Sequence, residues 1–146
     1  MMRVALDAAR KAVASQDIPV GAAIFNNAGD LIATGHNERE LHKDPTAHAE
    51  IVAIRNAAEN LGDWHLTDHT LVVTLEPCAM CAGAGVLARI KKIIYGADDP
   101  KSGACGSIYN LANNKKLNHR IEVISGILRK ECASLLKEFF NNKRER

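Results

Sequence analysis

Two segments of this chain hold residue types that could do chemistry at their spacing: His48-Ala49-Glu50 and Pro77-Cys78-Ala79-Met80-Cys81. One imidazole and two thiolates are three ligands of the kind zinc prefers, and a tetrahedral ion with three protein ligands keeps one position for water. Water on zinc ionises near a pKa of roughly 7 instead of roughly 15.7. It can then attack an amidine-like carbon at neutral pH. The attacked ring nitrogen needs a proton, and so does the departing amine. One carboxylate beside the metal can take the proton of the water and pass it on. Glu50, two residues from His48, is the candidate for that shuttle. Cys78 and Cys81 are three apart and share one face of a first helical turn, where the helix N-terminus favours thiolate over thiol.

Each element also has a plainer reading. A lone histidine on a helix face is usually structural, and a lone glutamate near a helix start usually answers the helix dipole. A lone C-x-x-C also serves redox chemistry or a closed zinc knuckle. Redox use fits poorly with Ala79 and Met80 inside an apolar helix. A closed site needs a fourth ligand, for which Cys105, Cys132, His36, His65 and His69 are available. Order and spacing together favour the open, catalytic arrangement. Cys105 and Cys132 form no second C-x-x-C and read as free, buried thiols.

The elements that must position these residues alternate between helical and strand periods. Residues 2–15 read as an amphipathic helix with Val4, Leu6, Ala8, Ala12 and Val13 in its apolar set. Val20–Phe25 and Leu31–Gly35 read as strands around the turn Asn26-Asn27-Ala28-Gly29-Asp30. Asp44-Pro45 signals a helix start, and that helix is expected to run to about Asn60 with Leu61-Gly62 closing it. Its apolar face is read as Ile51, Ile54, Ala58 and Leu61, which turns His48 inward. Thr70–Glu76 reads as a buried central strand, and Pro77 opens a helix through about Ala88. That helix carries no charge and is expected to be buried; Gly83 and Gly85 within it point to close backbone approach. Ile93–Gly96 and Arg120–Ser125 follow as strands and Lys130–Asn141 as a helix. A strand–helix–strand unit over 70–96 predicts a right-handed crossover between parallel strands. Helices between strands imply a three-layer α/β/α sandwich with a mixed, five-stranded sheet.

A chain of 146 residues is long enough for one core, so 1–146 reads as a single domain. A hydrophobic content of 47% with 25% charged residues excludes a disordered chain. Residues 1–110 hold 10 Lys+Arg against 13 Asp+Glu, a net −3, while residues 111–146 hold 9 against 4, a net +5. That asymmetry suggests either a solvated terminal helix or an anionic partner docking at one end. The first residues lack an uninterrupted apolar stretch, because Asp7, Arg10 and Lys11 interrupt it, and no run is long enough for a membrane helix. A reducing cytoplasm is the expected setting, with no membrane partner.

Ile18-Pro19-Val20-Gly21-Ala22, Asp44 through Glu50, and Thr74 through Ala84 resemble the bacterial tRNA-specific adenosine deaminases of the cytidine deaminase-like superfamily. So do Gly96-Ala97-Asp98-Asp99, Lys101-Ser102-Gly103-Ala104, Gly106-Ser107, Asn118-His119-Arg120 and Phe139-Phe140. The zinc pieces alone would indicate only a deaminase; the later pieces resemble the tRNA branch. The resemblance implies one zinc ion (Zn2+) per subunit on His48, Cys78 and Cys81, with Glu50 as the proton shuttle. It implies that Asn37 hydrogen-bonds the target base and that Asp99, Lys101, Ser102 and Asn118 lie along a tRNA anticodon stem-loop. Phe140 and the basic tail would close over the RNA. It further implies conversion of wobble adenosine to inosine by a homodimer. Read alone, Asn37 after Gly35-His36 is a turn residue, and Phe139-Phe140 are core residues of an amphipathic helix. A free-base or nucleoside deaminase of guanine or cytosine type is the rival enzyme, and a non-catalytic zinc-binding subunit is the rival outside enzymes.

Overall fold

The computed structural model describes residues 1–144. At its centre β1 (Gly21–Phe25), β2 (Leu31–His36), β3 (Thr70–Leu75), β4 (Lys92–Ala97) and β5 (Glu122–Ile124) form one sheet in the order β2-β1-β3-β4-β5. β1 is antiparallel to both β2 and β3, while β3, β4 and β5 are parallel. β2 and β3 therefore point the same way, and the C-terminal ends of β2, β3 and β4 share one edge of the sheet. In open α/β sheets that edge is where ligands bind.

The pleat divides the core into two layers. Ala22, Ile24, Leu71, Val73 and Ile93 face one side, where α3 (Ala49–Leu61) and α4 (Ala79–Leu87) pack. Ala23, Phe25 and Val72 face the other, against α1 (Met2–Lys11) and α5 (Arg129–Arg144). β3 is buried on both faces, as its unbroken apolar run predicts. The three-layer α/β/α reading holds, with the mixed five-stranded sheet. Among the described residues no helix is long and apolar enough to cross a membrane.

Several boundaries and faces differ from expectation, each for a local reason. The first helix becomes a 3-10 turn over Ala12–Ser15, and its buried set includes Met2, Ala5, Leu6 and Ala9 while Val13 is exposed. Asp44 starts no helix. Its Oδ1 instead accepts from the Thr46 N–H and hydroxyl at 2.9 and 2.7 Å, which closes a turn, and α3 begins only at Ala49. Nor does α3 fully bury its expected face: Ile51, Ile54 and Ala58 are half-buried, with Ile54 packed against the core. Ala49, Ala53 and Ala57 face the sheet, since a close approach to β2 leaves room only for small side chains, and Leu61 is exposed. Pro77 does not open α4, because its carbonyl accepts from Ala104 N–H and Cys78 is extended, bridging to Gly103.

α4 is also not fully buried: Met80 and Leu87 are exposed, Leu87 at 72%. Gly85 does mark close packing, since a Cβ there would lie 3.2 Å from Ile121 Cδ1, but a Cβ on Gly83 would meet nothing.

The short α2 (Arg39–His42), unforeseen in the sequence, is held by a buried carboxylate. Asp17 accepts from the backbone N–H groups of Glu40 at 2.8 Å and Leu41 at 3.3 Å, and from the Ser15 hydroxyl at 2.6 Å. Burial alone would raise its pKa, but these hydrogen bonds and one from Arg39 outweigh it, so the carboxyl stays ionised below its usual 3.8. A lowered folded-state pKa stabilises the fold above the unfolded value, and that stabilisation is lost as pH falls through the folded one. Asp17→Ala should therefore cost about 1–2 kcal/mol at pH 7. In urea titrations at a series of pH values, the difference from the parent protein should hold down to about pH 5 and narrow below about pH 4.

Candidate active site

The same edge of the sheet sets the chemistry. β2 leads through α2 to α3, and β3 leads directly to α4, so both helices start side by side. His48 is the N-cap of α3 with an extended backbone (φ −70°, ψ 152°), and Cys78 is the N-cap of α4 (φ −76°, ψ 179°). Cys81 and Glu50 lie in the first turns. Each group thus sits at the positive end of a helix, where thiolate and carboxylate are favoured.

His48 Nδ1 lies 3.6 Å from the sulfur of Cys78 and 3.6 Å from that of Cys81. Zn–S and Zn–N bonds of about 2.3 and 2.0–2.1 Å at tetrahedral angles require an N···S separation of about 3.6 Å. The residues fit a zinc ion. Among the described residues they are the one group of three or more His, Cys, Asp or Glu with ligand atoms within 4.8 Å of one another. Glu50 and the five residues considered as a fourth ligand all stand outside it, so the donor set leaves a coordination position open.

The protons of this cluster are strongly interdependent. Hydrogen bonding from the Cys81 thiol, helped by His48, brings Cys78 down to about 4 despite partial burial. The bond to Cys78 raises His48, and the same pairing together with burial drives the Cys81 thiol up. Glu50 is 4% exposed. Burial foremost lifts its carboxyl to about 7, against the pull of its own backbone N–H and of His48.

His48, Cys78 and Glu50 line a cavity of about 180 Å³ together with Asn37, Asp99, Ser102, Arg39 and Glu76. The volume is below the roughly 300–1,000 Å³ of pockets for drug-sized ligands, and suits one base. A larger hollow of about 420 Å³ lies between Val13 and the α5 residues Leu135 and Phe139, with none of these groups on its wall.

Asn37 is buried, not a surface turn. Its amide donates to Ile18 O at 3.0 Å, and its Oδ1 caps α3 by accepting from Ala49 N–H at 2.9 Å. Asp99 accepts from the N–H groups of Lys101 and Ser102 at 3.1 and 3.2 Å and from the Ser102 hydroxyl at 2.8 Å. Lys101 is exposed and does not line the cavity, and neither do the exposed Asn118 and Phe140. Phe139 is half-buried and meets Phe140 edge to face at 5.5 Å, which is not a core pair. Arg39 and Glu76 were not expected at the site; an arginine before a short helix and a glutamate ending a strand carry no local signature. Cys105 and Cys132 are free and buried, as expected. Exposed Lys115, Lys116 and Arg120 before β5, and Lys130, Lys137, Lys143 and Arg144 on α5, carry the basic C-terminal quarter; Glu145 and Arg146 lie outside the described residues.

The profile of the family described as the cytidine and deoxycytidylate deaminase zinc-binding region matches residues 1–97. A tRNA-specific adenosine deaminase of Haemophilus influenzae is 49% identical over 145 residues, spanning 99% of this chain and 84% of that protein. One of Bacillus subtilis is 45% identical, over 99% of this chain and 89% of its own length. This chain belongs to the tRNA-specific adenosine deaminase family. A solved structure from studies of A-to-I editing by tRNA:A34 deaminases at the wobble position of transfer RNA superposes with a TM-score of 0.88 at 42% identity, covering 92% of this chain and 97% of the other. The guanine deaminase from Nitrosomonas europaea has a TM-score of 0.82 at 27% identity, covering 94% and 81%.

Replacing a ligand tests the triad directly. Cys81→Ser should reduce bound zinc, measured by elemental analysis, from about one ion per chain to a small fraction. The loss in affinity should exceed the roughly 10–100-fold typical of changes in residues behind the ligands.

Proposed function

We propose that this chain converts adenosine to inosine at the wobble position of a tRNA anticodon loop, as a homodimer. One observation carries the reading: a base-sized cavity has an open three-ligand zinc site and a buried carboxylate on its wall. The relatives supply the choice of base and of RNA. A base in a single-stranded loop can be turned out of its stack for a few kcal/mol at most, so a narrow cavity is accessible to it.

Zinc on His48, Cys78 and Cys81 would supply the Lewis acidity that makes a water nucleophilic near neutral pH. Glu50 moves the two protons of the attacking water in turn: the first goes to the ring nitrogen beside C6, and the second, released as the C6 hydroxyl becomes a carbonyl, goes to the amino group that leaves as ammonia. Asn37 orients the base. Its amide holds one N–H to Ile18 and one lone pair to Ala49, which leaves a second donor and a second acceptor for the base edge. Asp99 and Ser102 shape the mouth, and Lys101, Asn118 and Phe140 meet RNA beyond the turned-out base. The exposed cations of the C-terminal quarter supply affinity for phosphates. As an enzyme of tRNA the protein works in the cytoplasm, a setting that suits four cysteines without a disulfide.

The second subunit is argued from α4. Met80, Gly83, Ala84 and Leu87 recur at helical spacing on its open side, with no charge anywhere in the helix. An open Gly83 lets another backbone come close. In sedimentation experiments the protein should be a dimer and Leu87→Glu largely a monomer; a monomeric parent protein would refute the interface.

The substrate is tested by incubating the protein with an anticodon stem-loop bearing wobble adenosine, and separately with free adenosine, guanine and cytidine. Inosine should form in the RNA alone; deamination restricted to a free base or nucleoside would favour the guanine- or cytosine-type enzyme. Glu50→Ala should keep its zinc and lose roughly 10²–10⁴-fold in kcat. Loss of zinc in that variant would make Glu50 a ligand instead.

A further inference from the structure

The chemistry leaves one buried charge on the cavity wall unused. Glu76 directly follows β3, is 2% exposed, and forms no ion pair among the described residues. Its partners all come from one loop. Oε1 accepts from the Asp99 backbone N–H at 3.0 Å and from the Ser107 hydroxyl; Oε2 accepts from the N–H groups of Cys105 at 3.1 Å and Ser107 at 3.0 Å. A carboxylate has about four lone-pair sites. All four are taken, so Glu76 lines the cavity with nothing left to offer a substrate.

The loop is built around this group. A Cβ on Gly103 would fall inside the carboxylate, so only glycine lets the chain pass. Gly103 also donates to Asp99 O at 2.9 Å and bridges to Cys78, and Ala104 donates to Pro77 O at 2.8 Å. The loop that carries Asp99 and Ser102 is thereby tied to the strand end that also carries the zinc ligand Cys78.

We infer that Glu76 is a positioning residue for substrate recognition, clamping the 99–107 loop so that Asp99 and Ser102 stand at a fixed distance from the metal site. The identity of the substrate rests on the function proposed above; the clamp does not. Glu76 touches neither the reacting base nor the metal, so it acts through the loop.

Glu76→Gln separates this role from general stability. A glutamine can keep its oxygen toward the N–H groups of Cys105 and Ser107, and its NH2 can donate to the Ser107 hydroxyl. That NH2 then faces the Asp99 N–H, donor against donor. The substitution thus releases Asp99 selectively. Gly103→Ala displaces both carboxylate oxygens from the loop side, and Ser107→Ala removes one hydrogen bond of the four.

The three variants are compared with the parent protein for zinc content, for kcat and KM on the anticodon stem-loop, and for amide hydrogen exchange over 98–108. For Glu76→Gln, zinc should stay at one per chain and kcat should remain within about twofold, while KM rises about tenfold. Exchange at Asp99 should accelerate more than at Cys105. Gly103→Ala should repeat the rise in KM at constant zinc and kcat, with exchange accelerated at Asp99 and Cys105 alike, and Ser107→Ala should show a weaker form of the Glu76→Gln pattern. Unchanged KM and exchange in both Glu76→Gln and Gly103→Ala would overturn the inference. So would loss of zinc, or a fall in kcat at constant KM, which would make Glu76 a support of the metal site. If Glu76→Gln fails to fold, Gly103→Ala and Ser107→Ala decide the matter by the same readouts. If the parent protein does not deaminate the stem-loop, the proposed function fails instead, and exchange at Asp99 still decides the clamp.

Discussion

Four ionisable groups meet where α3 and α4 begin, and none of them keeps its ordinary proton affinity there. Cys78 loses its proton readily only because Cys81 and His48 donate to it; Cys81 in consequence holds its own, and buried Glu50 resists ionising. Bringing such groups together costs free energy, and the fold must offset that cost. Two helix N-termini do part of this by placing positive partial charge beside each sulfur. A divalent cation would do the rest by replacing the shared protons. The sheet order follows from the same requirement: both β2 and β3 must run antiparallel to β1 for the two helices to start at one edge. A parallel β4 then delivers the 99–107 loop to the same place.

Residue type and spacing revealed the metal triad before any geometry, because ligand chemistry restricts the choice to a few side chains. The strands were legible for a similar reason, since β-branched runs such as Val72–Thr74 have few other uses. Helix faces were less legible. On α3 the large residues Ile51, Ile54 and Leu61 suggested a core face, yet the sheet is close enough that Ala49, Ala53 and Ala57 fill the contact, with Ile54 packed at its margin and Leu61 exposed. On α4 the absence of charge suggested burial, yet Met80 and Leu87 are exposed. An uncharged helix can be buried on any side, so composition alone does not say which side meets the sheet. Asp44-Pro45 misled because a side chain that accepts from its own i+2 N–H closes a turn as readily as it caps a helix.

The residues that sequence reasoning missed, Asp17 and Glu76, have something in common. Each is a buried carboxylate that accepts mainly backbone N–H groups from a distant segment. Neither contact leaves a trace in local sequence, because the partner atoms are present in every residue except proline. Burying an ion costs several kcal/mol unless it is well hydrogen-bonded, so such a group is a costly way to fix a loop. It does fix the position tightly, as several donors converge on two oxygens and a shift of the loop would leave a buried charge unsatisfied.

The molecule thereby separates two tasks that a deaminase must combine. Attack on an amidine-like carbon is the same problem for many bases, and it is assigned to helix starts, whose geometry is set by the sheet. Choosing a base and its surroundings differs from case to case. In the function proposed here it falls to the 99–107 loop, which a buried carboxylate holds in place. Loops of this kind can change without disturbing the metal, provided each keeps its carboxylate anchor. On this argument the strand-end residue Glu76 is as much a part of selectivity as the residues that face the substrate. It sets where they stand, and in a cavity of about 180 Å³ a displacement of one ångström is a large fraction of the space available to a base.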